Sequence, residues 1–397
     1  MHGLQALTHG STSVHFSEEL QLPVIGPGAN IRIPSQLESS YFFRCAAGAE
    51  IHATISFGLK TATSWAAAGH EISWFQYPLA EIQAGIRPSP PSVSEALRVD
   101  TTITTLRITG QDFTLLFDKA RGFLTHWWAG GAVVLEPDAA TGAAILPSFW
   151  RPPTSNDNPH SLPYWHRFGV DALTTQLRDT QITSNPTTIS FTTYHTPPVL
   201  DWGYLATTTY TITPSGTVSV SVRLRPAGPY PPTHVPRVGL DLRLPPRLRA
   251  VAWLGLGPGE SYPDKRAAQR VGVWSVADVA ELHTPYEVPQ EGGNRMGTRW
   301  VSVRENAGGI GVRVAATGEW SGNCERKFSF RASRFSDAAV QAARHPCDLV
   351  EEEATLLRLD ARVAGVGTAA CGPGVREDLL VPVEEMKFGF VLQPVGV

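Results

Sequence analysis

The stretch PQEGGNR brings Glu291, Asn294 and Arg295 together in a turn-rich, polar segment. An acid, an amide and a planar guanidinium at that spacing could together grip the hydroxyls of a sugar. The competing reading pairs Glu291 with Arg295, or uses both to cap backbone groups in a long loop. Asn156, Asp157 and Asn158 pose a similar choice between an oxygen-rich contact for a cation or hydroxyl and an Asx-turn that satisfies its own backbone. Trp127, Trp128, Trp150 and Trp165 concentrate aromatic surface, which suits sugar stacking or, on alternating strands, core packing. For paired general acid and base work, His283 with Glu291 is the pair to nominate.

Other chemistries find little support. None of the 12 histidines falls in an HExxH pattern, so no metal site is assigned. Cys45, Cys324, Cys347 and Cys371 are far apart without a CxxC pair, which fits reduced thiols better than a disulfide framework or zinc site. No G-x-S-x-G elbow and no phosphate-cradling glycine loop is present. With 33 Lys+Arg against 36 Asp+Glu the net charge is −3, which argues against a nucleic-acid surface. Hydrophobic residues at 42% and charged residues at 17% suit a folded chain rather than a disordered one. No apolar run approaches the ~20 residues that cross a bilayer, and the first residues lack a charged and then apolar leader. The chain therefore reads as soluble and cytoplasmic, with no membrane partner.

The elements that must position these residues are strands. Val218, Val220, Val222 and Leu224 alternate with Ser219, Ser221, Arg223 and Arg225, the pattern of a sheet with one buried face. Val238, Leu240, Leu242 and Leu244 repeat it. Leu357, Leu359, Ala361 and Val363 do so again, with Arg358, Asp360 and Arg362 on the other face. Pro214-Ser215-Gly216 joins two β-rich runs as a hairpin. A short helix is expected over residues 336–344, capped by Ser336, and a further helical turn near residues 267–273. Frequent glycine and proline turns and the lack of a βαβ series give an all-β chain. Stacked prolines over residues 87–92 mark a linker. The resulting division is a small β unit over residues 1–86, a linker over 87–102 and a large β unit over 103–397.

Five segments then resemble one family: ATSWAAAGHEISWFQYPL (62–79), FWRPPTSNDN (149–158), WLGLGPGESYPDKR (253–266), HTPYEVPQEGGNRMGTRW (283–300) and FSFRASRFS (328–336). In order and spacing they are similar to the C-terminal third of the large β-galactosidases of glycoside hydrolase family two. The resemblance implies part of an immunoglobulin-like sandwich, then a large antiparallel supersandwich of the galactose mutarotase-like type. It also implies what this stretch lacks. Glycosidases that retain configuration need two carboxylates about 5–5.5 Å apart; in the family both are glutamates on a (β/α)₈ barrel of about 250 residues. No such stretch occurs here, so no catalytic residue is assigned, and magnesium and sodium would belong mainly to that barrel.

The family also places a sugar-facing tryptophan on a loop of its last domain. The matching loop is GVGTAACGPG, residues 365–374, where Cys371, Gly372 and Pro373 stand instead and would leave a wider subsite. Because the resemblance begins partway through the immunoglobulin-like strands, an uncovered apolar face and unpaired edges are expected, and with them a partner: a barrel-containing β-galactosidase chain or another copy of this one. The alternatives are a separate carbohydrate-binding module or an aldose epimerase-like protein.

Overall fold

The alternation read from residues 218–225 is realised in the strand Val218–Ala227, where Val218, Val220, Val222 and Leu224 are buried and Arg223 and Arg225 are exposed. Its hairpin closes as expected. Gly216 accepts the left-handed φ of +79° that the turn requires, and Thr213 N–H donates to the Thr217 carbonyl at 3.0 Å.

The computed structural model describes residues 2–7, 12–20, 23–32, 50–81, 97–184, 187–318, 320, 327–368 and 374–397. They divide into two compact units, one built on the first four strands and taking in residues 270–273, the other on the remaining residues from Arg98 onward. The first unit is an antiparallel sheet in the order Thr12–Glu18, His2–Leu7, Glu50–Gly58, Glu71–Glu81. Its last strand leaves Ile72, Phe75 and Tyr77 at 61%, 53% and 56% exposure, an apolar surface of the kind expected of an uncovered sheet face.

The second unit begins with a five-stranded meander from Arg98–Thr101 to Ala132–Leu135. A nine-stranded sheet follows, in the order Thr174–Ser184, Thr187–Thr196, Gly203–Ile212, Val218–Ala227, Met386–Val395, Gly311–Ala316, Trp300–Arg304, Ala250–Gly257, Arg270–Val276. A second five-stranded sheet runs Ile145–Ser148, Arg237–Leu244, Thr355–Val363, Phe328–Ser333, Arg295–Thr298. Every strand pairing described is antiparallel. One apolar cluster joins these sheets, with Leu240, Leu242, Leu359 and Phe330 from the five-stranded sheet beside Val220, Val222, Phe388 and Phe390 from the nine-stranded one. Each such side chain stabilises the fold by roughly 1.5–3 kcal/mol. The architecture is all-β.

Four local expectations need revision or extension. Arg358 and Asp360 do lie opposite Leu357 and Leu359, but both are buried, at 4% and 0% exposure, because this sheet is covered on its polar face as well. Residues 270–276, which overlap the helical turn expected near 267–273, are a strand. Arg98–Thr101, placed in the linker from the sequence, pairs with Thr105–Thr109, since its alternating side chains suit a sheet edge. Ser161–Arg167 is a short helix that no periodicity announced. The helix near residue 336 forms over Asp337–Ala342 with Ser336 as its cap, Oγ accepting from the Ala339 amide. Trp127 and Trp165 are core, whereas Trp128 stacks on His126 at 4.8 Å. Cys347 is an exposed free thiol; the other cysteines and residues 87–96 of the linker lie outside the described residues.

Candidate functional site

Residues 365–368 follow the strand Thr355–Val363, and their backbone is gripped by three side chains. Arg151, fully buried, forms a two-pronged pair with Asp157 at 2.9 and 3.3 Å and donates from Nη2 to the Gly365 carbonyl at 3.0 Å. Asp157 also accepts from the amide and hydroxyl of Thr154 at 2.7 and 2.9 Å, so the TSNDN turn is tied to the same arginine. Asn156 Nδ2 donates to the Val366 carbonyl at 2.9 Å. From the opposite side the Asp264 carboxylate accepts the amides of Val366 and Gly367 at 2.9 and 3.0 Å.

These contacts explain the Gly-Val-Gly spelling. A Cβ at Gly365 would lie 2.4 Å from Asp264 Oδ2, and one at Gly367 would lie 2.0 Å from Asn156 Nδ2; Gly367 also holds φ at +135°. Removing the Asp264 carboxylate with Asp264→Ala should speed hydrogen exchange at the Val366 and Gly367 amides by about tenfold, with little change in the global unfolding midpoint. Unchanged exchange at both amides would show that the clamp is dispensable.

Glu291, Asn294 and Arg295 are all buried and turned toward protein. Glu291 accepts two bonds from Arg358, one of them at 3.0 Å, and a third from the Tyr262 hydroxyl at 3.0 Å. Burial opposes its charge, but Arg358, with Arg331 and Arg151 beyond, outweighs that cost and holds its pKa down at about 2. Asn294 Nδ2 donates to the Ser261 carbonyl at 2.8 Å, and the Ser261 amide returns a bond to the Asn294 carbonyl at 2.7 Å. Arg295 donates to the carbonyls of Leu282 and Gly293, and its guanidinium sits 5.5 Å from the Trp253 ring centre. The sugar-gripping trio of the sequence reading is therefore already engaged. Its work is to hold residues 283–295 in place. His283 packs edge-on against Phe335 at 5.2 Å, and Glu291 is held by Arg358, so this pair is not arranged as acid and base.

Glu260 ties the same region together, accepting from Lys265, Tyr286, Thr284 and the Gly293 amide. Burial raises its pKa, but these donors more than offset it and the net direction is down. Cys371, Gly372 and Pro373 lie outside the described residues. The residues that sequence reasoning passed over are Arg151 and Asp264. Both stand inside the segments singled out, but nothing in their spacing says that they meet at residue 365. Among the described residues no group of three or more His, Cys, Asp or Glu is placed to hold a metal ion.

A second feature lies on the polar face of the five-stranded sheet. A cavity of about 310 Å³ is walled by Ser148, Trp150, Asp241, Arg331, Asp337 and Arg358, among others. The register sets Asp241 opposite Arg358, an opposite-charge pair, and Arg358 opposite Arg331, a like-charge pair whose carboxylate partners come from elsewhere.

Two antiparallel β units, with buried charge where sheet meets loop, give the described residues an all-β architecture. The chain belongs to the family described as β-galactosidase small chain, which it matches over residues 109–392, and residues 5–80 match β-galactosidase domain 4. It is 28% identical over 331 residues to a β-galactosidase of Kluyveromyces lactis, covering 82% of this chain and 30% of that protein. It is 33% identical over 269 residues to one of Vibrio cholerae, covering 63% and 23%, and 27% identical over 392 residues to one of Vibrio vulnificus, covering 91% and 34%. The chain thus spans about a third or less of the curated relatives it matches. A solved aldose epimerase homologue from C. elegans superposes with a TM-score of 0.41 at 11% identity, over 76% of this chain and all of that one.

Proposed function

We propose that this chain is the non-catalytic C-terminal portion, or small subunit, of a β-galactosidase. It supports hydrolysis of terminal β-D-galactosides while a separate barrel supplies both catalytic glutamates. In that reaction one glutamate attacks the anomeric carbon as the other protonates the leaving oxygen, and water then releases galactose from the glycosyl-enzyme. This chain would present the loop over residues 365–374, with Cys371, Gly372 and Pro373, as part of the sugar-side rim. The observation that carries the reading is the convergence of Arg151, Asn156 and Asp264 on the root of that loop. Three sequence-distant groups fixing two peptide units is a large commitment for a surface turn, and it suits a loop that must keep its aim. Magnesium and sodium would enter with the barrel. The exposed Ile72, Phe75 and Tyr77 support a partner chain or a second copy covering the first unit.

The test is complementation. The purified chain alone should release no nitrophenol from nitrophenyl β-galactoside, and adding a barrel-bearing β-galactosidase chain that lacks this region should restore turnover. Turnover by the isolated chain, or no restoration despite complex formation, would overturn the reading.

A further inference from the structure

We propose that the cavity on the polar face of the five-stranded sheet binds a neutral saccharide, giving this chain a carbohydrate site of its own. At about 310 Å³ the cavity lies at the lower end of the small-molecule range, roughly 300–1,000 Å³. Its charges are already paired. Arg331 holds Asp337 at 2.9 Å, Arg243 holds Glu352 at 3.4 Å, and Arg237, buried behind the wall, holds Asp241 at 2.8 Å. An anionic ligand would find no spare cation and would have to break one of these pairs.

A polyhydroxyl ligand meets a better match. Planar carboxylate and guanidinium groups fixed by one another keep unused acceptor and donor positions, the complement of neighbouring hydroxyls that both give and take hydrogen bonds. Asp241 shows this directly: Oδ1 is taken by Arg237, Oδ2 carries no protein hydrogen bond, and the residue is exposed. Half-buried Trp150 and Leu356 add apolar wall for the C–H surface of a sugar ring. The imidazole in the wall, His195, has both nitrogens engaged, Nδ1 with Thr175 at 3.1 Å and Nε2 with Thr193 at 2.9 Å. It is not available as an acid or base.

The inference is independent of any barrel, so it is tested on the full chain alone by calorimetric titration with methyl β-galactoside and lactose, and with inorganic phosphate as the charged comparison. Two variants accompany it. Asp241→Asn keeps an oxygen for Arg237, and Thr141→Trp narrows the mouth from an exposed position without touching the buried pairs. Saturable binding of either saccharide, weakened about tenfold or more by whichever variant keeps the parent melting temperature, is the expected result. No saccharide binding, binding unaffected by the folded variants, or binding of phosphate alone would overturn it. Failure here would leave the complementation result untouched.

Discussion

Replacing Arg358 by methionine should lower the unfolding free energy by about 3–5 kcal/mol, seen as a lower denaturant midpoint at unchanged slope. The arginine is 4% exposed and stands among three carboxylates: Glu291, joined by two hydrogen bonds, Asp337 at 3.5 Å and Asp360 at 3.4 Å. The acids are not equally dependent on it. Asp360 keeps Arg237 and Asp337 keeps Arg331, whereas Glu291 would retain only the Tyr262 hydroxyl. A buried carboxylate without a cation takes up a proton or draws in water, and either outcome loosens residues 283–295. The double variant Arg358→Met with Glu291→Gln should therefore recover part of the loss, because it removes the stranded charge along with its partner. A single-variant loss under about 1 kcal/mol, the value of an exposed pair, would show that this charge row contributes little.

Acid should weaken the fold in two stages. His195 is fully buried, and burial pushes its pKa from 6.5 down to about 4. Since the folded form binds its proton less readily than the unfolded chain, the contribution is whole above about pH 6.5 and falls away as pH drops toward 4. The loss over that window is about 3 kcal/mol. Glu291 runs in the later window: its pKa is depressed from 4.5 to about 2, so its contribution is present above about pH 4.5 and is lost between there and pH 2. Urea unfolding at pH 7, 5.5 and 4 checks the first stage, with His195→Gln as the control that should flatten the slope. A parent protein whose midpoint stays level from pH 7 to 4 would rule out a neutral buried imidazole.

The strands were readable where one face meets solvent and the other the core. Residues 218–225 state their environment in their own alternation, and so did the cap at Ser336. Alternation failed in a specific way at Arg358 and Asp360, because it reports which side of a strand a residue takes but not what lies over that side. Covering residues 283–295 are distant in sequence, and charge alone gave no sign that the arginines would be enclosed. The same limit applies to Glu291, Asn294 and Arg295, whose types suit a sugar and suit a buried network equally well. Arg151 and Asp264, 113 residues apart by 264 − 151, meet at the Gly365–Gly367 backbone only through tertiary folding. The helix Ser161–Arg167 was hidden because Pro163 sits in its first turn and its seven residues are too few to show a period.

Met386–Val395 occupies the middle of the nine-stranded sheet, between Val218–Ala227 and Gly311–Ala316. It follows every other strand of that sheet in the chain and so leaves the ribosome after them. Until it arrives, the sheet is two separate fragments, each ending in a bare hydrogen-bonding margin flanked by apolar side chains. Translation must therefore finish this strand before the fragments can knit, and pairings over so long a separation form slowly. A nascent chain stalled short of residue 386 should be a client for chaperones that shield exposed β edges.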